Sequence, residues 1–173
     1  MNQKLTNKVF LGLGGNLGQP LDCFIAARWR LAEHPQIDLK ASSPIYRTPA
    51  VGGPEGQPDY LNAVLELETD LSPRQLLHLC LEIELASGRT REVRWAARIL
   101  DIDLLVFGQQ VSDDFQLTLP HPRLHSRHFV LLPLVDLEPE LWHPILKRTM
   151  NDLLNDLPAA VGISKLSENW YRS

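Results

Sequence analysis

One short stretch limits the folds open to this chain more than any other. Leu100-Asp101-Ile102-Asp103-Leu104-Leu105-Val106-Phe107 reads as an apolar strand with two carboxylates set inside it. Side chains on a strand alternate faces, so Asp101 and Asp103 project together, their Cα atoms roughly 6.6 Å apart. Leu100, Ile102, Leu104 and Val106 are then expected to point the other way, into a core. Like charges side by side in an apolar strand repel, and a fold gains nothing from them unless a cation sits between. Hard cations such as Mg²⁺ are typically held by one or two carboxylates together with substrate phosphates. Immediately upstream, Arg89, Arg91, Arg94 and Arg98 supply planar donors suited to phosphate oxygens. The pattern points to a site for a metal-bound nucleotide.

Each half of the pattern has an ordinary reading when taken alone. An Asp-x-Asp marks many strand ends and solvated faces, and an arginine run is often a solvated face or a nucleic-acid patch. The whole-chain charge of −4 argues against general nucleic-acid binding, for which a basic balance is expected. Four of the 17 basic residues nevertheless fall between Arg89 and Arg98, which favours a small phosphorylated ligand over a long polyanion.

At 173 residues the chain fits a single domain, with a core over about 8–160 and a polar C-terminal tail that is assigned no function. Its two cysteines, Cys23 and Cys80, lie on predicted helices among apolar neighbours and are expected as free thiols. The first residues, Met1 to Asn7, lack the apolar run of a signal peptide, and no stretch approaches the ~20 apolar residues of a membrane span. The expectation is a cytoplasmic protein.

Val9 to Gly15 reads as a buried first strand ending in the turn Gly15-Asn16-Leu17-Gly18. The spacing Gly12-x-Gly14-x-x-x-Gly18 is one residue too long for a dinucleotide fingerprint. The alternative is that the glycines let the chain turn tightly at a strand end. Pro20 suits a first helical turn, and Leu21, Phe24, Ile25, Leu31 and Ala32 give an approximate apolar stripe with Arg28 inside it. A weakly alternating strand follows, from Ile37 to about Tyr46. Thr48–Asp59 holds three prolines and three glycines in twelve residues, a long loop of the kind that is functional or disordered.

The next strand, Tyr60 to Thr69, puts Leu61, Ala63, Leu65 and Leu67 on one face and Tyr60 and Asn62 on the other. Ser72-Pro73-Arg74-Gln75 is a capping box with proline at the first helical position. Leu76, Leu77, Cys80, Ile83 and Leu85 then predict a buried helical face that stops at Gly88. His121, Arg123, His125, Arg127 and His128 cluster after a strand ending at Pro120. Histidine after Thr-x-Pro at a strand end suits phosphate contact better than zinc, since no other ligand stands at zinc spacing. Phe129 to Leu137 is expected to be helical, with Pro133 interrupting or beginning the helix, and a short helix is expected around Thr149–Leu157.

Five pieces together carry a resemblance: Gly14-Gly15-Asn16-Leu17, Tyr46-Arg47-Thr48-Pro49, Gln57-Pro58-Asp59-Tyr60-Leu61-Asn62, Arg94-Trp95-x-x-Arg98-x-x-Asp101-Ile102-Asp103, and Pro120-His121-x-Arg123. The chain resembles the 6-hydroxymethyl-7,8-dihydropterin pyrophosphokinases of folate biosynthesis from Val9 to about Pro144. The resemblance implies an α+β, ferredoxin-like fold, an antiparallel sheet with helices packed on it. It implies transfer of the β,γ-diphosphate of ATP to the pterin hydroxymethyl oxygen, with release of AMP. Asp101 and Asp103 match ligands of two Mg²⁺ ions. Arg89 and Arg98 match arginines engaging the transferring phosphates, and Arg91 matches one on a mobile loop.

Glu84, Leu104, Thr118, His121 and Arg127 match nucleotide contacts. Tyr60 and Asn62 match pterin contacts. The loop start at Thr48, Pro49, Val51 and Gly52 offers backbone groups to the same heterocycle, while Trp95 and Phe129 would cover the ring by stacking. Ala96-Ala97 stands where the family commonly has Gly-Pro, and Gln116 where some members carry an arginine. The partners implied are small molecules, ATP and the pterin, with no nucleic acid or membrane, acting on a monomer. Loops 48–59 and 89–98 are expected to be open until ligands close them. A regulatory domain or a nucleotide hydrolase could share part of this pattern; AMP as product separates the pyrophosphokinase from both.

Overall fold

The computed structural model describes residues 6–50, 55–88, 98–166 and 168–171. Elements run in the order β1 (Asn7–Gly15), α1 (Pro20–Ala32), β2 (Ile37–Ser42), β3 (Tyr46–Thr48), β4 (Tyr60–Thr69), α2 (Pro73–Ala86) and β5 (Asp101–Phe107). A hairpin of β6 (Ser112–Asp114) and β7 (Leu117–Leu119) follows, then α3 (His128–Leu137). A second hairpin, β8 (Trp142–His143) and β9 (Arg148–Thr149), leads to α4 (Met150–Asn155) and β10 (Ser164–Lys165). The main sheet is antiparallel in the order β10-β3-β4-β1-β5, with β2 also on β4. No helix among the described residues is long and apolar enough to cross a membrane.

Helices cover both faces. Val9, Leu11 and Leu13 of β1 join Ala63, Leu65 and Leu67 of β4 against Phe24, Ala27 and Leu31 of α1 and Leu76, Cys80 and Ile83 of α2. On the opposite face Phe10, Val64, Leu105 and Val106 pack on Val130, Leu131 and Leu134 of α3 and Met150 of α4. Alternation along β1 and β4 produces this division directly.

The α2 boundaries follow local chemistry. Ser72 Oγ accepts from the Gln75 amide, the Gln75 side chain accepts from the Ser72 amide, and Gly88 past the end has φ +86°. The buried face differs from expectation at its last turn. Leu85 is 64% exposed, and Glu84 is buried in its place. Glu84 Oε1 accepts from the Ile102 amide at 2.7 Å, so a carboxylate ties α2 to β5 where an apolar residue was expected.

Three further expectations change, and the arginine inside the α1 stripe finds partners. The strand predicted from Ile37 to Tyr46 is two strands, broken at Ser43-Pro44 because proline has no N–H for the ladder. There the Ser43 amide donates to the Val64 carbonyl and its Oγ accepts from the Val64 amide, while the Ser43 carbonyl accepts from Trp170 Nε1 at 2.8 Å. Pro133 neither begins nor interrupts α3; it lies buried inside the continuous helix, where burial offsets one missing hydrogen bond. Arg28, within the α1 stripe, bonds Ser42 Oγ at 3.0 Å and lies 4.4 Å from the Tyr171 ring centre. The segment read as a polar tail contributes β10 and Trp170, which is 6% exposed in the core.

The strand that opened the sequence reading also differs. Asp101 and Asp103 do share a face, but the pairing of β1 with β5 shifts between Phe10 and Leu11. Leu11 lies opposite Leu104 and Phe10 opposite Val106, so Leu105 is the extra residue of a bulge. Ile102 and Leu104 enter the core with α1 and α2, whereas Leu105 and Val106 point with the carboxylates toward the other face. Val106 therefore does not continue the Leu100–Leu104 side.

Candidate active site

Beyond α3, the second face of the sheet opens into a cavity of about 780 Å³. Its floor is β1. Gly12 lies between Val64 and Asp103, and Gly14 lies between Asn62 and Asp101, across the two neighbouring strands. A Cβ on Gly14 would stand 3.5 Å from Asn62 Oδ1, and one on Gly12 would meet Leu105 at 3.4 Å. These glycines sit within the strand rather than in a turn. Their missing side chains leave a flat trough, with an amide on one side and two carboxylates on the other.

On the β5 side the cavity is lined by Arg98, Asp101, Asp103, His121, Arg123 and Arg127, and it reaches Glu84 of α2. Asp101 pairs with Arg98. Burial first, then the charge of Asp101, pushes the Asp103 carboxyl up to about 6, although Arg127 and Arg98 pull the other way. A cation would relieve that repulsion, so the donor set fits a hard divalent ion shared with ligand phosphates.

His121 is held by its own amide on the Leu105 carbonyl at 2.8 Å, and its Nδ1 accepts from the Arg123 amide at 3.1 Å. Burial, then Arg127 and Arg123, pushes its pKa down to about 4. At neutral pH the ring is uncharged with its proton on Nε2, a donor ready for an anionic oxygen. Burial and the neighbouring Arg123 also lower the Arg127 pKa, and its guanidinium lies 5.3 Å from the Phe129 ring centre.

On the β3–β4 side the lining is Thr48, Pro49, Tyr60, Asn62 and Phe129. Asn62 is 5% exposed and donates through Nδ2 to Thr48 Oγ1 at 2.9 Å. An oriented amide, a tyrosine and a phenylalanine around a flat trough suit a planar, polar ring.

Both sides meet at Asn16, at the end of β1. Its Oδ1 accepts from the Arg98 amide at 2.8 Å, while its Nδ2 donates to the Pro58 carbonyl at 3.1 Å and to Gln57 Oε1 at 3.3 Å. The Asn16 and Leu17 amides both reach the Arg98 carbonyl. One buried side chain thus ties the segment before the carboxylates to the loop before Tyr60.

Of the residues expected from sequence, Thr48, Pro49, Tyr60, Asn62, Glu84, Arg98, Asp101, Asp103, His121, Arg127 and Phe129 line this one cavity. The Leu104 side chain lies in the opposite core, and the bulge gives the cavity Leu105 instead. Thr118 does not line it; its hydroxyl bonds the Asp114 carbonyl at 3.1 Å. Arg89, Arg91, Trp95, Val51 and Gly52 lie outside the described residues, as do the central parts of both loops expected to close. Sequence reasoning left Arg123, Val161 and Ile163 unassigned, and all three line the cavity. Arg123 had a signal in Pro120-His121-x-Arg123. The two aliphatic residues had none.

Carboxylates and guanidinium groups at one end of a trough and an aromatic-rimmed amide at the other make a site suited to a polyanion beside a flat polar ring. The chain matches the family model described as 7,8-dihydro-6-hydroxymethylpterin-pyrophosphokinase (HPPK) over residues 10–139. It belongs to that family.

Among its relatives, the 2-amino-4-hydroxy-6-hydroxymethyldihydropteridine pyrophosphokinase of Pseudomonas aeruginosa is 41% identical over 140 residues, covering 81% of this chain and 86% of the relative. The protein of that name from Methylorubrum extorquens is 44% identical over 135 residues, covering 78% and 84%. A crystal structure of wild-type Plasmodium falciparum HPPK-DHPS with pteroate shares the fold, with TM-score 0.68 at 16% identity. That match spans 89% of this chain and 45% of the longer one, so this chain corresponds to under half of that protein.

Proposed function

We propose that this chain transfers the β,γ-diphosphate of ATP to the hydroxymethyl oxygen of 6-hydroxymethyl-7,8-dihydropterin, giving the pterin diphosphate and AMP in folate biosynthesis. The observation that carries the reading is the shared floor: Gly14 lies between Asn62 and Asp101, so one trough joins the two half-sites. Such an arrangement sets an alcohol on a ring beside a bound triphosphate, the proximity that a direct transfer needs.

Asn62 pairs with the pterin edge beside Tyr60, while Trp95 and Phe129 cover its faces and the Thr48–Pro49 backbone borders it. Arg98, Arg123 and Arg127 face the phosphates, joined by Arg89 and Arg91, and His121 donates from Nε2. Glu84, Thr118 and the Leu104 backbone belong to the nucleotide side, while Trp95, Val51 and Gly52 complete the pterin side. Asp101 and Asp103 would hold two Mg²⁺ ions. Bound there, the cations neutralise phosphate charge and ease ionisation of the attacking hydroxyl. The hydroxymethyl oxygen attacks the β-phosphorus, the bond from that phosphorus to the α-phosphate oxygen breaks, and AMP departs. Arg98 must give up its pairing with Asp101 to reach the phosphates, so its contact strengthens as the ligands assemble.

The strand order β5-β1-β4-β2, with α1 after β1 and α2 after β4, supports a ferredoxin-like core carrying α3 and α4 on its second face. We take the protein to work as a single-domain monomer in the cytoplasm, in keeping with its free thiols at Cys23 and Cys80.

Product analysis by phosphorus NMR tests the reaction. One AMP and one pterin diphosphate should form per ATP consumed; ADP or free phosphate as the main product would overturn the reading.

Asn62→Ala should weaken pterin binding about ten- to a hundredfold, the effect of leaving a partner of a buried amide unpaired. Binding of a nonhydrolysable ATP analogue should hold. Calorimetric titration of both ligands separates the half-sites, and equal losses would refute the division.

A further inference from the structure

The trough has a wall that the family match does not include. Residues 158–166 lie beyond residues 10–139, over which the family model matches, and they run along the sheet edge opposite β5. β10 pairs with β3, Ser164 facing Arg47 and Lys165 facing Tyr46, and the Leu166 amide donates to the Ile45 carbonyl at 2.8 Å. At the other end the Pro158 carbonyl meets His128 Nε2 at 2.7 Å. Lys165 Nζ bonds Asp136 of α3 at 3.1 Å, and Tyr46 bonds the same carboxylate. The segment is therefore pinned to β3 and to both ends of α3.

Between the pins, Val161 and Ile163 line the cavity, with Gly162 between them at φ +72°. A Cβ on Gly162 would lie 3.4 Å from Pro49 Cγ, so the backbone seats on the start of the loop that follows β3. Thr48, next to Pro49, accepts from Asn62. The strap thus backs the amide that reads the ring and adds two aliphatic side chains beside it. Val161 is 84% exposed, so its side chain is open to a ligand at the cavity rim.

We infer that the strap 158–166 is part of the ring-binding half-site, with Val161 and Ile163 packing on the heterocycle as specificity-determining residues. This rests on the assignment of the Asn62 side to the pterin. Aliphatic groups favour the flat apolar face of a ring and offer nothing to phosphates, so they should discriminate between the two substrates of the reaction.

The test uses the full chain with both side chains shortened, V161A/I163A. Binding of 6-hydroxymethylpterin is followed by its fluorescence in the presence of α,β-methylene-ATP. Its dissociation constant should rise about tenfold, from the apolar area no longer buried by two side chains. Affinity for α,β-methylene-ATP alone should stay within about twofold, as for surface changes remote from a ligand. V161I/I163L, which keeps an apolar wall, should hold the wild-type pterin affinity. Unchanged pterin binding in V161A/I163A would overturn the strap's role. Equal weakening of both ligands would also overturn it, by marking the strap as support for the fold alone. A wild-type protein that binds no pterin would instead bring down the functional reading beneath it.

Discussion

Asp103→Asn is expected to raise the stability of the ligand-free protein at pH 8 while removing turnover. The folded carboxyl ionises near 6, against an ordinary value of 3.8. Below about pH 4 both states are protonated and the group has no effect on folding. Between about 4 and 6 the unfolded chain has lost the proton and the folded one keeps it, so stability falls as pH rises. Above 6 the loss is complete, at about 3 kcal/mol. Asparagine has no such loss. Its melting temperature should match wild type at pH 4 and exceed it by about 6–12 °C at pH 8 without divalent cation.

Mg²⁺ with an ATP analogue should stabilise wild type strongly and the variant weakly. Turnover should drop at least about a hundredfold, since even outer partners of metal ligands cost ten- to a hundredfold when removed. A variant no more stable than wild type at pH 8 would show that Asp101 and Asp103 coexist without strain. Near-normal turnover would remove them as metal ligands.

Gly15→Ala is expected to damage fold and function together. A Cβ there would stand 2.5 Å from the Ile99 carbonyl oxygen and 3.3 Å from Pro20 Cβ. The near obstacle is backbone, which cannot swing aside, so the end of β1 must part from the chain entering β5. Overpacking of this kind costs about 1–3 kcal/mol. The larger effect falls on catalysis. Asn16, the next residue, holds the Arg98 amide and the Pro58 carbonyl, and Asp101 lies three residues beyond Arg98. A shift of about 1 Å at such a junction can cost about a hundredfold in rate. Chemical denaturation and steady-state kinetics on the same preparation would show both losses. Wild-type kcat in a destabilised Gly15→Ala protein would mean that this junction does not position the arginine and the carboxylates.

Much of this site is local chemistry, and so it is legible in the chain. Asp101 and Asp103 share a face because they are two apart on a strand, as do Tyr60 and Asn62. The start and stop of α2 follow from Ser72, Pro73, Gln75 and Gly88, each acting on backbone groups a few residues away. The clustering of Arg94, Trp95, Arg98 and the two aspartates carried the family likeness.

Pairing between distant strands decided the rest. The bulge at Leu105 exists only because β5 must register with β1, and it alone sends Leu105 toward the cavity and Leu104 away from it. Periodicity could not choose Glu84 over Leu85 as the buried residue; the Ile102 amide, 18 positions on, supplied the reason. The glycines at 12 and 14 read as a turn until Asn62 and Asp101 were placed on either side of them, when their missing side chains became the floor of the site. Residues 158–166 read as polar tail because short-range patterning cannot reveal a two-residue strand held by pairing with distant β3. Sequence sets the period, caps and chemistry of each element. Register, and therefore which side chains share a cavity, is a property of the assembled sheet.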